Sequence, residues 1–242
     1  MSLLSDPDPS PPRDPLRLGL QVLVVALATL VSDILLVPFH LAPESWIVRV
    51  YVLVRMVALV ALATLFLRSG GESWRSVGFA RPNRLRWLLA WVFGGYLATA
   101  LVAGTVGAIL VRQGGFPMPN PERALHAHPG LLQYLYWIVP VTWGAAAFGE
   151  ELLFRGFFLT RFLGMLPPAR WGVILAVVMQ AAIFGLLHLY QGVVGAAMAG
   201  VIGLVLACVY LLSGRNLWAG ILLHGTIDSI SVTVLYLRLA NG

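Results

Sequence analysis

A membrane-spanning α-helix needs about 20 consecutive, mostly apolar residues. This chain of 242 residues carries seven stretches of that kind, one after another. They run from about Leu16 to Val37, Trp46 to Leu67, Trp87 to Val111, Leu131 past Phe148 into Arg155, and Trp171 to Tyr190. The sixth follows the Gln191-Gly192 turn and ends at Ser213-Gly214, and the seventh is Leu217 to Leu239. In lipid a spanning segment has to satisfy its own backbone hydrogen bonds, which predicts helices. The expected fold is therefore all-α, a polytopic transmembrane helix bundle of about seven spans, with room for an eighth short helix in residues 113–130. Only 11% of the residues are charged and 59% are apolar, where a soluble domain carries about a quarter charged residues. Most of the surface must face something other than water.

Short connections make residues 16–242 one membrane domain, whose chemistry-bearing core is 131–239. Residues 1–15 hold five Pro and three Asp and lack the basic start and apolar run of a secretory signal. They are expected to form a disordered cytoplasmic tail. The segment 112–130, with Gly114-Gly115, Pro117, Pro119 and Pro121, is long for a bundle connection and reads as a lid or an interfacial segment.

All sixteen basic residues are Arg, and the net charge is +6. In a membrane chain such charge reports topology rather than nucleic-acid binding, because basic residues collect in cytoplasmic loops. With the N-terminus inside, Arg13, Arg17, Arg68, Arg75, Arg81, Arg84, Arg86, Arg161, Arg170 and Arg215 all fall on the cytoplasmic side. Only Arg112, Arg123 and Arg238 fall outside. The expected location is the cell (inner) membrane, multi-pass, with a cytoplasmic N-terminus. Cys208 is the only cysteine; it excludes an intramolecular disulfide and reads as a small packing residue.

An ionisable side chain at mid-bilayer costs several kcal/mol, roughly 2.5–3.5 on the most lenient scale. Asp33, Arg49, Arg55, Glu150, Glu151, Arg155, His188, His224 and Asp228 all sit in or near apolar spans and need reasons. Asp33 with Arg49 or Arg55 reads as a structural pair between the first two spans. His40, His126 and His128, in or near loops, read as structural. Gly192, Gly195, Gly200 and Gly203 read as close-packing positions, and the Trp residues as interface anchors.

The remaining groups carry chemistry. In a helix, Glu151 and Arg155 share one face in the better orientation for an ion pair. Glu150 is rotated by about 100° from Glu151 and is left for another partner. His224 and Asp228 project from one face of the last span, and His188 lies near the end of the fifth. A carboxylate and two imidazoles in a partly dry site suit Zn²⁺. They equally suit metal-free activation of water, with imidazole stabilising the oxyanion.

These residues form three motifs in order: Glu-Glu-x-x-x-Arg at Glu150-Glu151 to Arg155, Phe-x-x-x-His at Phe184 to His188, and His-x-x-x-Asp at His224 to Asp228. On them the chain resembles the CPBP family of CAAX-processing and bacteriocin-processing intramembrane proteases, over about residues 140–230. The resemblance implies an α-helical membrane endopeptidase whose site opens towards the cytoplasm. By the same resemblance Glu150 activates the attacking water with His188, while His224 and Asp228 stabilise the oxyanion or complete a metal site. Glu151 and Arg155 would support them. The expected catalytic set is thus Glu150, Glu151, Arg155, His188, His224 and Asp228, and the expected metal set Glu150, His188, His224 and Asp228, holding a divalent ion such as Zn²⁺. Asp228 stands where the eukaryotic CAAX-processing branch has Asn, which argues against prenylated CAAX substrates. A carboxylate there also favours a metal over a neutral oxyanion donor.

The expected partners are a membrane-associated protein or peptide substrate and the lipid bilayer, with no nucleic acid. Removal of a C-terminal sorting tail is one form such cleavage could take. Two other classes compete: a non-catalytic immunity or scaffolding protein retaining the motifs, and a haem-binding or proton-coupled transport protein using His188 and His224. The Glu-Glu and Arg spacing serves no purpose in the last.

Overall fold

The computed structural model describes residues 14–36, 46–82, 84–118 and 130–241, with the side chains of residue 36 and of residues 46–49 left aside. The expected tail, most of the 112–130 segment with any eighth helix, His40, His126, His128 and the Arg49 side chain lie outside that description. Among the described residues every regular element is helical. Seven helices are long and apolar enough to cross a membrane. They are α1 Pro15–Leu36, α2 Trp46–Ser69, α3 Leu85–Arg112, α4 Leu131–Met165, α5 Arg170–Leu187, α6 Gly192–Leu212 and α7 Leu217–Asn241. Leu20, Leu27, Phe93, Leu101 and Ile174 are each about half exposed or more on outward faces, as lipid contact requires.

Helix α4 is unusual. Over Trp137–Glu150 and Leu152–Leu159 it is wound as a π-helix. Pro140 lies inside the first stretch, where it lacks an N–H and its ring crowds the preceding turn, so the ordinary ladder cannot pass through it. Widened turns of this kind are frequent at functional sites. Glu150 and Glu151 sit at the junction of the two stretches.

Close approach of α5 and α6 depends on missing side chains. A Cβ at Gly185 would lie 2.8 Å from the Ala196 carbonyl, and one at Gly203 would lie 3.3 Å from Ala181 Cα. That agrees with a packing role for Gly200 and Gly203. Gly192 behaves differently: its φ is +83° and nothing lies near a Cβ there, so it serves the turn rather than helix packing. Phe154, Phe157, Phe158, Phe162 and Phe184 form an aromatic core between α4 and α5, all 4% exposed or less.

The loop between α2 and α3 folds back onto one end of the bundle. The Gly78 carbonyl accepts from Leu217 N–H, the Ala80 carbonyl from Asn216, and the Val77 carbonyl from the Tyr210 hydroxyl. Trp74 Nε1 donates to Thr64 Oγ1 at 2.9 Å, Phe79 stacks on Trp218 at 5.2 Å, and Trp143 fills the space beside Gly225. These three Trp are packing residues, not interface anchors; each finds apolar area inside the bundle that an interface position would not offer. Arg161 is fully buried and meets both oxygens of Glu72 at 3.1 Å, so its charge is neutralised within the protein. Cys208, expected to be packed, is exposed on α6. Arg55 pairs with Asp33 and donates to Ser32 Oγ at 2.7 Å, the expected link between the first two spans.

Candidate active site

Three helices contribute the polar groups. Glu151 on α4 is fully buried, and its Oε1 accepts from two partners, Arg155 Nη1 at 2.7 Å and His224 Nδ1 at 3.0 Å. The pairing with Arg155 follows from their spacing on one helix. The bond to His224 joins α4 to α7. Gly220, one helical turn before His224, permits it: a Cβ there would come within 2.4 Å of Glu151 Oε2.

Arg155 is also fully buried. Its Nη2 donates to the Gly203 carbonyl on α6 at 3.1 Å, a carbonyl that Gln180 Nε2 on α5 shares at 3.0 Å. The guanidinium lies 5.0 Å from the centre of the Phe184 ring, a cation–π distance. One arginine therefore ties α4, α5 and α6 together at the depth of Glu151. Gln180, Gly203 and Gly220 belong to this assembly and were not singled out from the sequence as part of it. Gln180 left a signal, an amide inside an apolar span and one turn before Phe184; the two glycines left none specific to the site.

Phe184 is the hub of the aromatic packing. Its ring lies 4.7 Å from His188, 6.1 Å from His224 and 4.8 Å from Phe154. His188 caps α5, and its Nδ1 lies 2.7 Å from the Phe184 carbonyl. A carbonyl can only accept, so Nδ1 carries the proton and Nε2 of the neutral ring keeps its lone pair. His224 is held in the same sense. Glu151 as a carboxylate accepts from Nδ1–H, and Nε2 points to Asp228 Oδ2 at 3.5 Å. Glu150 is half-buried and makes none of the bonds that hold Glu151. His188, His224, Asp228 and Arg155 lie near enough for their charges to act on it. Glu151 and Arg155 thus support one another, but the bonded imidazole, His224, also belongs to Glu151, while Glu150 lies within electrostatic range of both rings.

A metal would need ligands that converge. The tautomers suit it, since each Nδ1 is held by a hydrogen bond while Nε2 faces the site. The spacing does not. Among the described residues no three His, Cys, Asp or Glu groups stand together as a set able to hold a metal ion. The expected set of Glu150, His188, His224 and Asp228 is not gathered as such a group in this arrangement.

Fold and site together define a polytopic helical membrane protein with carboxylate, imidazole and guanidinium groups gathered inside the bundle. The sequence model of the Rce1-like family, described as type II CAAX prenyl endopeptidase Rce1-like, matches residues 132–230. All three motifs fall inside the matched residues, consistent with the CPBP family. No curated protein and no solved structure matches the chain significantly.

Proposed function

We propose that the chain is an intramembrane endopeptidase that hydrolyses a peptide bond in a membrane-associated protein or peptide. The observation that carries this reading is the division of roles between adjacent carboxylates. Glu151 is bound by Arg155 and His224 and fully buried, while Glu150 is half-buried, makes neither of those bonds and lies within electrostatic range of His188 and His224.

Glu150 takes a proton from water as the water oxygen attacks the scissile carbonyl carbon. His188, with its proton held on Nδ1, offers Nε2 to orient that water. The oxyanion takes a hydrogen bond from His224 when its Nε2 is protonated, and Glu151 supports the charge that the ring then carries. Collapse of the tetrahedral intermediate breaks the C–N bond, and Glu150 returns its proton to the leaving amine. Asp228 Oδ2 lies 3.5 Å from Nε2, within ion-pair reach of the ring once that nitrogen is protonated.

Substrates near the C-terminus of a tethered protein, as in removal of a sorting tail, fit a site set within the bilayer. Prenylated CAAX substrates fit less well because Asp228 adds negative charge beside the developing oxyanion. The Arg distribution supports a cytoplasmic N-terminus in the cell membrane. The test is cleavage of a membrane-inserted peptide library in proteoliposomes by wild type and Glu150→Gln. Loss of turnover with an unchanged gel-filtration profile supports the role given to Glu150; retained turnover removes it.

A further inference from the structure

Between α5 and α6 the chain makes a single 3₁₀ turn, Leu189–Gln191, closed by Gln191 N–H donating to the His188 carbonyl at 2.9 Å. Gly192 follows with a φ of +83° and starts α6. Tyr190 and Gln191 lie on this turn, directly after His188, and neither belongs to the three motifs. The turn lays the Tyr190 ring on the His188 ring, with centroids 5.9 Å apart and planes 29° from parallel. His188 lies 4.7 Å from Phe184, and Phe184 lies 6.1 Å from His224. One aromatic row therefore runs from Tyr190 to the imidazole that Glu151 holds.

The Tyr190 hydroxyl accepts from Gln191 Nε2 at 2.9 Å. A hydroxyl that accepts keeps its own O–H to give, and it gives more strongly for accepting. The charges of Glu150, Asp228 and, from α1, Asp33 all reach the phenol, which sets it at the edge of the reactive groups. Hydrolysis needs a group of this kind. The developing oxyanion is stabilised by preorganised donors, and His224 supplies one of them. Glu150 and Asp228 as carboxylates only accept. A phenol is neutral, so it stands beside these carboxylates without the cost of burying another charge.

We propose that Tyr190 is a second donor to the oxyanion: its O–H hydrogen-bonds the substrate carbonyl oxygen as the tetrahedral intermediate forms, and Gln191 orients the phenol. This rests on the peptidase reading of the site. The phenol proton stays on Tyr190 throughout, and the water proton passes to Glu150 and then to the leaving amine. A tyrosine at the end of a spanning helix often serves only as an interface anchor. In that role, loss of the hydroxyl would leave turnover unchanged.

Tyr190→Phe keeps a ring on His188 and removes only the hydroxyl. Wild type, Tyr190→Phe, Gln191→Met and Glu150→Gln are compared in proteoliposomes on a peptide that wild type cleaves from the membrane-inserted library. In Tyr190→Phe, kcat should fall roughly 10²-fold, as on loss of one oxyanion donor, with KM and the thermal transition unchanged. Gln191→Met should lower kcat less, again without a change in KM. The same peptide with a phosphinate at the scissile bond mimics the tetrahedral intermediate, and Tyr190→Phe should bind it more weakly by a similar factor. Wild-type kcat and phosphinate affinity in Tyr190→Phe overturn the inference while the Glu150→Gln result stands. A rise in KM with kcat unchanged overturns it as well, placing Tyr190 in ground-state binding. A wild type that cleaves no peptide of the library removes the peptidase reading and this inference with it.

Discussion

Glu151 Oε1 accepts hydrogen bonds from both Arg155, on its own helix, and His224, on the last helix of the bundle, at 2.7 and 3.0 Å. A fully buried carboxylate with a guanidinium on one side and an imidazole on the other cannot itself take a proton from water without breaking the assembly. It holds the ring of His224 in one tautomer and leaves its neighbour Glu150 to meet substrate.

Removing Arg155 should be severe. Arg155→Ala leaves Glu151 buried without its charge partner, and loss of one member of a buried pair costs about 3–5 kcal/mol. Thermal unfolding in detergent should show a large fall in the transition temperature. The double variant Arg155→Met with Glu151→Gln should recover much of that stability while remaining inactive. A single Arg155→Ala variant as stable as wild type would remove the structural role assigned to the pair.

Glu151→Gln separates positioning from chemistry. The amide oxygen still accepts from His224 Nδ1–H, but the charge that supports a protonated ring is gone. We expect kcat to fall by roughly 10²–10³ with KM nearly unchanged, the size seen when oxyanion stabilisation is lost. An equal rise in KM with unchanged kcat would place Glu151 in ground-state binding instead.

Gly220→Ala tests the contact between α7 and α4. Its Cβ would meet Glu151 Oε2 at 2.4 Å, and overpacking of this kind costs about 1–3 kcal/mol. Both stability and turnover should drop, because relief requires Glu151 to shift away from His224. Gly94→Ala, where nothing lies near the added Cβ, is the control and should leave both unchanged.

Metal content follows from the donor spacing. Elemental analysis of the detergent-purified protein should show no stoichiometric zinc, and His188→Ala should not alter the result. About one zinc per chain, lost in that variant, would mean that the imidazoles close on a metal with Glu150 or Asp228. Water activation would then belong to the metal.

The buried pair of Arg161 and Glu72 should hold the α2–α3 loop onto the bundle. Glu72→Gln weakens it and exposes the loop, read as faster proteolytic cleavage after Arg75 or Arg81 with turnover largely retained. Unchanged proteolysis would show that the Gly78, Ala80 and Val77 contacts suffice.

Much of this was legible in the sequence. Seven apolar stretches of spanning length can only be helices in lipid, because the backbone has no other donors and acceptors there. Helical spacing alone paired Glu151 with Arg155 and turned Glu150 elsewhere, since i and i+4 share a face. Contacts between distant segments were not legible. Nothing local to Glu151 or His224 says that they touch across 73 positions, or that Gly220 must lack a side chain for them to do so. The same holds for Arg161, which reads as a loop charge until Glu72 is folded against it, and for Gly192, which reads as a packing glycine until its φ is seen. Periodicity and solvation energy act along the chain and leave their mark in composition. Which polar groups share a partner depends on how the helices pack, and only the tertiary structure decides that.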